Sequence, residues 1–81
     1  MTDPVPYSIE AERSVLGAIL LNSECMDIAG DLLGLDDFYR SDHRTIYATM
    51  LHLNKQQSNI DVLTVAESLE GKHQLETVGG L

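Results

Sequence analysis

The segment 8–22, SIEAERSVLGAILLN, constrains the fold most strongly, because it is the most apolar stretch of the chain. Ser8 stands just before it and can act as an N-cap, since its hydroxyl can accept a hydrogen bond from a free amide of the first helical turn. Apolar residues then recur at helical spacing. They form a stripe made of Ile9, Leu16, Ile19 and Leu20. The pattern predicts a helix over residues 9–21.

The second half of this helix is apolar on nearly all sides, because Ala18 and Leu21 lie off the main stripe. Such a helix is typical of a central position with neighbours on more than one side. Gly17 interrupts it at a cost of about 1 kcal/mol relative to alanine. We therefore expect another helix, from this chain or from a second one, to approach Gly17 closely. Glu10 and Glu12 follow the cap, where the helix dipole favours negative charge.

A second helix is predicted over about residues 24–33, with Ser23 as its N-cap and Gly34 as its end. Its expected apolar arc consists of Cys25, Met26, Ile28, Ala29, Leu32 and Leu33. A turn follows over residues 35–42, and we interpret Phe38 as its anchor in the core.

A third helix is predicted over about residues 43–55, with Ser41 or Asp42 as its cap. After the loop 56–59, Ile60 is expected to pack back on the core. Asp61 is expected to cap a fourth helix over about residues 62–70. The buried face of that helix is expected to hold Val62, Val65, Ala66 and Leu69.

These segments predict an all-α fold, a compact small domain of four or more short helices, since strand-like alternation is absent. The predicted core residues are Leu16, Leu20, Leu33, Phe38, Met50 and Leu69. Residues 1–7 contain Pro4 and Pro6 and are expected to be an irregular leader. Leu75 and Val78 are expected to add packing near the end of the chain. Residues 8–81 would then form the domain.

The charge balance limits the partners of this segment. Five Lys and Arg stand against thirteen Asp and Glu, so the formal net charge of the 81 residues is −8. This balance opposes binding to DNA, where phosphate contacts supply most non-specific affinity, and binding to anionic membranes. No stretch approaches the roughly 20 apolar residues that span a bilayer. A protein partner is compatible with the acidity.

The usual chemical motifs do not assemble in the sequence. Gly71-Lys72 is followed by His73, so it does not complete a phosphate-binding loop. His43 and His52 fall on opposite sides of the third helix, too far apart to share a metal ion. His43 lies on the apolar side of that helix and is expected to be a hydrogen-bonded packing residue. Cys25 sits on an apolar face, where a thiolate is disfavoured. We therefore expect no catalytic, cofactor-binding or metal-binding residue in this segment.

The chain resembles the N-terminal domain of the bacterial replicative DNA helicase, the DnaB family. The resemblance covers about residues 6–81. It is strongest in the opening SIEAE-x-SVLG (residues 8–17) and in DFY-xxx-HR (residues 37–44), and it extends to matches in the later segments. Those later matches are Ile60-Asp61, Thr64, Ala66-Glu67-Ser68-Leu69 and Val78-Gly79-Gly80.

This resemblance implies a helical head domain that is followed in the family by a helical hairpin, a linker and a RecA-like motor. The family assembles as hexamers with an N-terminal collar that contacts the primase. Unwinding in the 5′–3′ direction uses ATP and Mg in the motor. The chain stops at Leu81, before the hairpin and the motor. The resemblance therefore implies a non-catalytic assembly and primase-docking domain of a cytoplasmic replisome, bacterial or from a phage or plasmid.

Two alternatives remain open. Arg40 and Arg44 form the only basic cluster, so helix three could be the reader of a small DNA-binding domain. The chain could also be an independent adaptor that mimics the helicase head. Asp61, finally, has an alternative role as a contact with a partner protein.

Overall fold

The computed structural model describes residues 8–71, which form helices α1 (Ile9–Leu21), α2 (Cys25–Leu32), α3 (Ser41–Lys55) and α4 (Val62–Gly71). A short 3-10 helix, Leu35–Asp37, joins α2 to α3. The described residues contain no strand, and the predicted all-α class is confirmed. The predicted leader and the predicted packing of Leu75 and Val78 lie outside the described residues.

Helix α1 has the bounds that its sequence pattern predicts. The Ser8 hydroxyl accepts a hydrogen bond from the Ala11 amide at 3.2 Å, and the helix ends where Asn22 turns to extended backbone. Leu16 is buried, whereas Leu20 is only partly buried against the core. A Cβ atom built at Gly17 would meet no atom within 4 Å, so the close approach expected there does not occur among the described residues.

Helix α2 departs from its prediction at both ends. Glu24 is its N-cap residue, and no side chain caps it, so the predicted Ser23 cap is wrong. The Asn22 side chain, one residue before the predicted cap, instead accepts a hydrogen bond from the Glu24 amide at 3.1 Å. The helix ends at Leu32, and Leu33 adopts extended backbone while remaining partly buried.

The predicted apolar arc of α2 is buried along only one edge. Met26 and Ala29 lie in the core, whereas Ile28 is 64% exposed and Leu32 is 74% exposed. The arc was wider than the space between α1 and α3, both of which α2 contacts.

Helix α3 is the central element, because it contacts α1, α2, α4 and the 3-10 helix. It begins at Ser41, two residues earlier than predicted, with Arg40 as its N-cap residue. The predicted cap residues are therefore both inside the first turn. The core gathers around α3 and consists of Leu16, Ile19, Met26, Ala29, Phe38, Ile46, Tyr47, Met50, Leu53, Ile60, Val65 and Leu69.

Tyr47 connects α3 to the end of α2. Its hydroxyl lies 2.8 Å from the carbonyl oxygen of Leu33 and 3.1 Å from that of Ala29. Its ring lies 4.6 Å from the ring of Phe38, centroid to centroid. The Ala29 carbonyl already accepts the Leu33 amide, whereas the Leu33 carbonyl lies just past the end of α2, so the tyrosine hydroxyl gives that carbonyl a partner.

The end of α3 is closed by backbone hydrogen bonds of the kind seen in Schellman motifs. The Ser58 amide donates to the Leu53 carbonyl at 2.9 Å, and the Gln57 amide donates to Asn54 at 3.0 Å. Gln57 has a φ of 60°, a conformation usually taken by glycine at this position. The loop then returns to the core through Ile60, which is buried.

Helix α4 begins with reciprocal hydrogen bonds. The Asp61 carboxylate accepts from the Thr64 amide, and the Thr64 hydroxyl accepts from the Asp61 amide, both at 2.9 Å. Val65 and Leu69 are fully buried, but Val62, predicted to be buried, is 52% exposed. Val62 occupies the first turn, on a side that no described element covers.

We expect Leu16→Ala to lower the free energy of unfolding by about 2–5 kcal/mol, because it leaves a cavity between α1 and the core. Leu21→Ala is the matched control on the same helix, since Leu21 is 91% exposed. Urea denaturation followed by circular dichroism measures both. Equal losses in the two variants would contradict this packing.

Candidate functional site

The most buried charged group among the described residues is the carboxylate of Glu12, which is 6% exposed. Its Oε2 accepts the Tyr39 amide at 2.8 Å, and its Oε1 accepts the Arg40 amide at 3.4 Å. His43 Nδ1 lies 2.8 Å from Oε1. The carboxylate therefore joins the first turns of α1 to the residues that lead into α3.

His43 is 7% exposed and belongs to the first turn of α3. An ionised carboxylate only accepts hydrogen bonds, so Nδ1 of this imidazole carries the hydrogen that points at Glu12. The sequence predicted His43 to be a hydrogen-bonded packing residue, and its geometry agrees with that prediction.

Two opposed effects determine the pKa of Glu12. Burial raises this pKa, but the hydrogen bonds from Tyr39, His43 and Arg40 favour the ionised form and together outweigh burial. The pKa of Glu12 therefore lies below its ordinary value of 4.5.

Arg40 and Asp42 form a second, more exposed pair beside this site. The guanidinium donates to the two Asp42 oxygens at 2.9 and 2.7 Å, and Asp42 also accepts the His43 amide at 2.8 Å. The hydrogen bond from Arg40 holds the pKa of Asp42 below its ordinary range. Arg40 is thus committed to a neighbour, and Arg44 is the only member of the predicted basic cluster outside an ion pair among residues 8–71.

We call the contact of Glu12 with Tyr39, Arg40 and His43 the junction. The two strongest sequence motifs meet there. Glu12 comes from the opening motif, while Phe38, Tyr39 and His43 come from the second one. Phe38 is 2% exposed and lies against Tyr47. Its ring therefore anchors the turn whose backbone amides donate hydrogen bonds to Glu12.

Sequence reasoning missed the role of Glu12, which it assigned only to the helix dipole. A usable signal existed, because Glu12 lies on the apolar stripe, three residues after Ile9 and four before Leu16. A charged residue on a buried stripe requires a partner. The identity of that partner, a turn 27 residues away along the chain, is not encoded locally.

The other predicted site residues lie apart from this junction. Asp61 is at the start of α4, where its carboxylate serves the cap, and Cys25 is partly buried at the start of α2. Within residues 8–71, no three His, Cys, Asp or Glu side chains are grouped so that they could hold a metal ion. No helix in this part of the chain is long and apolar enough to cross a membrane.

Large apolar side chains are also exposed on the described surface. They are Leu21, Ile28, Leu32, Leu35, Tyr39, Val62 and Leu63. Leu32, at 74%, and Leu63, at 68%, are among the most exposed of them, and they lie on different helices.

The fold and the junction define the class first: a small all-α domain in which one buried carboxylate joins α1 to the start of α3. The model of the DnaB-like helicase N-terminal domain family matches residues 4–81. The chain belongs to this family, and the predicted resemblance is confirmed.

Similar proteins agree with this assignment. The chain is 43% identical over 76 residues to the replicative DNA helicase DnaC of Bacillus subtilis and to the replicative DNA helicase DnaB of Synechocystis. It is 44% identical over 75 residues to the replicative DNA helicase DnaB of Pasteurella multocida. These matches cover 93–94% of this chain but only 17%, 9% and 16% of the three relatives, respectively.

A solved structure supports the fold. The crystal structure of the N-terminal domain of the DnaB helicase from Mycobacterium tuberculosis superposes with a TM-score of 0.90 at 34% sequence identity. The match covers 95% of this chain and 56% of that one.

We expect Glu12→Gln to lower the free energy of unfolding by about 1–3 kcal/mol, because a neutral amide cannot accept the same donors as well. Glu10→Gln is the matched control, since Glu10 is exposed on the same helix. Chemical denaturation at pH 7 compares the two variants. A Glu10 loss equal to the Glu12 loss would contradict the role of the junction.

The pKa of Glu12 also predicts a pH dependence. Because its folded-state pKa lies below 4.5, its stabilising contribution is present above about pH 4.5 and is lost as the pH falls through the folded value. Thermal melting at a series of pH values should show wild-type stability falling in this acid range. The decline should be shallower in Glu12→Gln, with Asp42 causing part of what remains. Parallel curves for the two proteins would contradict the prediction.

Proposed function

We propose that this chain is a non-catalytic assembly and primase-docking domain of a hexameric replicative DNA helicase. Family membership is the observation that carries the proposal. The relatives are replicative DNA helicases, and the family model that matches is their N-terminal domain.

The length relation fits a division of labour within a longer protein. The chain spans about one sixth or less of the curated relatives that it matches. ATP and Mg would bind in a RecA-like motor of such a protein, and the energy for 5′–3′ unwinding would be released there. The described residues would supply a folded head domain that contacts neighbouring subunits in a cytoplasmic replisome.

Surface character supports a role in protein contacts. Seven large apolar side chains are exposed in the described part of the chain, while the net charge of −8 opposes direct contact with DNA. Other helicase subunits and the primase are the proposed partners, and a membrane is not. Contact between Asp61 and a partner would have to spare the carboxylate oxygen that accepts the Thr64 amide.

The DNA-reading alternative receives little support from the site. Arg40, half of its basic cluster, is bonded to Asp42, which lowers the positive charge available for phosphate. An Arg44→Ala variant that lost DNA binding at low salt would nevertheless favour it.

The test is a binding titration of the purified 81-residue chain with the primase of the same host, with sedimentation of the chain alone at several concentrations. We expect saturable primase binding and no ATP hydrolysis above background. Rates of ATP hydrolysis like those of a complete helicase would contradict the non-catalytic role. Absence of primase binding would contradict the docking role.

A further inference from the structure

Helix α2 exposes an apolar strip that no described element covers. Ile28 and Leu32 are one turn apart, so their side chains lie on the same face of the helix. They are 64% and 74% exposed, whereas Met26 and Ala29 on the opposite edge are buried. We name Ile28 and Leu32 the α2 strip.

Three carboxylates run beside the α2 strip. At 100° per residue, Glu24, Asp27 and Asp31 fall within an arc of about 60° adjacent to Ile28. All three are exposed. The side chain of Asp27 has one long hydrogen bond, at 3.5 Å from the Asn54 amide nitrogen. The strip therefore has a negatively charged edge on the side that faces the groove between α2 and α3.

Little positive charge compensates this edge. Residues 24–39 contain five acidic residues and no Lys, Arg or His. Lys55 of α3 lies along the same groove as Asp27 and Asp31, but within residues 8–71 the ion pairs are Arg40–Asp42 and His43–Glu12. The carboxylates are thus available to a partner.

We propose that the α2 strip and its acidic edge bind an amphipathic helical segment of a partner protein, with apolar residues at helical spacing and Lys or Arg along one side. This deepens the docking role proposed above and rests on it, because it assigns a surface and a partner chemistry to that role. Apolar contact would supply affinity, and the acidic edge would select basic partners and set their orientation.

Charge favours this occupant over a second copy of the chain. Two copies facing each other through α2 would bring two acidic edges together, and each chain carries a net charge of −8. Like charges in an interface oppose association, whereas a basic helix neutralises the edge.

The test uses the complete 81-residue chain and a fluorescently labelled helical peptide of about five turns. The peptide carries Leu at positions i, i+3, i+4 and i+7 and Lys along one edge. A scrambled peptide removes the apolar face, and a second peptide replaces Lys with Glu. Fluorescence anisotropy measures Kd at low and physiological salt.

Three variants locate the surface. Leu32→Ser removes half of the α2 strip, and Asp31→Asn removes charge from its edge. Leu63→Ser is the matched control, because Leu63 is an exposed leucine of α4. We expect Leu32→Ser to weaken peptide binding about tenfold, and Asp31→Asn to weaken it a few-fold with a smaller salt dependence. Circular dichroism confirms that each variant is folded, which the exposure of these residues favours.

Several results would overturn the proposal. They are binding of the scrambled peptide or the Glu peptide as tightly as the Lys peptide, equal effects of Leu32→Ser and Leu63→Ser, and self-association that only Leu32→Ser abolishes. The last result would assign the strip to a second copy. Loss of peptide binding with retained primase binding would overturn this inference and leave the docking role intact. Peptide binding without primase binding would support this inference and overturn the assignment of the primase as a partner.

Discussion

The buried Glu12 carboxylate is the interaction that joins helix α1 to the turn before α3, the helix around which the core is built. Removing a charge from water is costly unless donors replace the lost hydration. Two backbone amides and the His43 imidazole do so, and they come from residues 27 to 31 positions later in the chain. Because the amides belong to the turn that Phe38 anchors, one carboxylate aligns α1 with the start of α3. The aromatic ring and the carboxylate thus hold the same short segment.

The parts of this fold that were predictable from sequence are those determined by local chemistry. Helix α1 combines a serine cap, a first turn with two acidic residues and a clear apolar stripe, and its bounds are as expected. Helix α4 likewise follows from Asp61 and the spacing of Val65 and Leu69. The α2 boundaries were less predictable, because Asn22 and Tyr47 compete with the local cap signals of Ser23 and Gly34.

The junction itself could be predicted only in part. His43 stood out as a polar residue on an apolar face, and Phe38 stood out as an aromatic in a polar turn. The pairing of either residue with Glu12 depends on tertiary structure, because the sequence between them does not indicate that they are close in space. Periodicity reports that a side chain is buried but not what it meets. A buried acid is therefore visible as an anomaly in the stripe, while its donors become visible only in three dimensions.

The number of apolar residues on α2 also explains why Ile28 and Leu32 are exposed. Helix α2 and the flanking Leu33 together carry six apolar residues. These residues make an arc too wide for α1 and α3 to cover. A domain of this size buries only about 60–65% of its unfolded surface, and two aliphatic side chains left in water add little burial free energy to its small stability margin. A partner that covers them binds the folded chain alone and stabilises it by mass action. Docking would bury Ile28 and Leu32 and supply apolar burial that the isolated domain lacks there, and the acidic edge restricts which partners can do so.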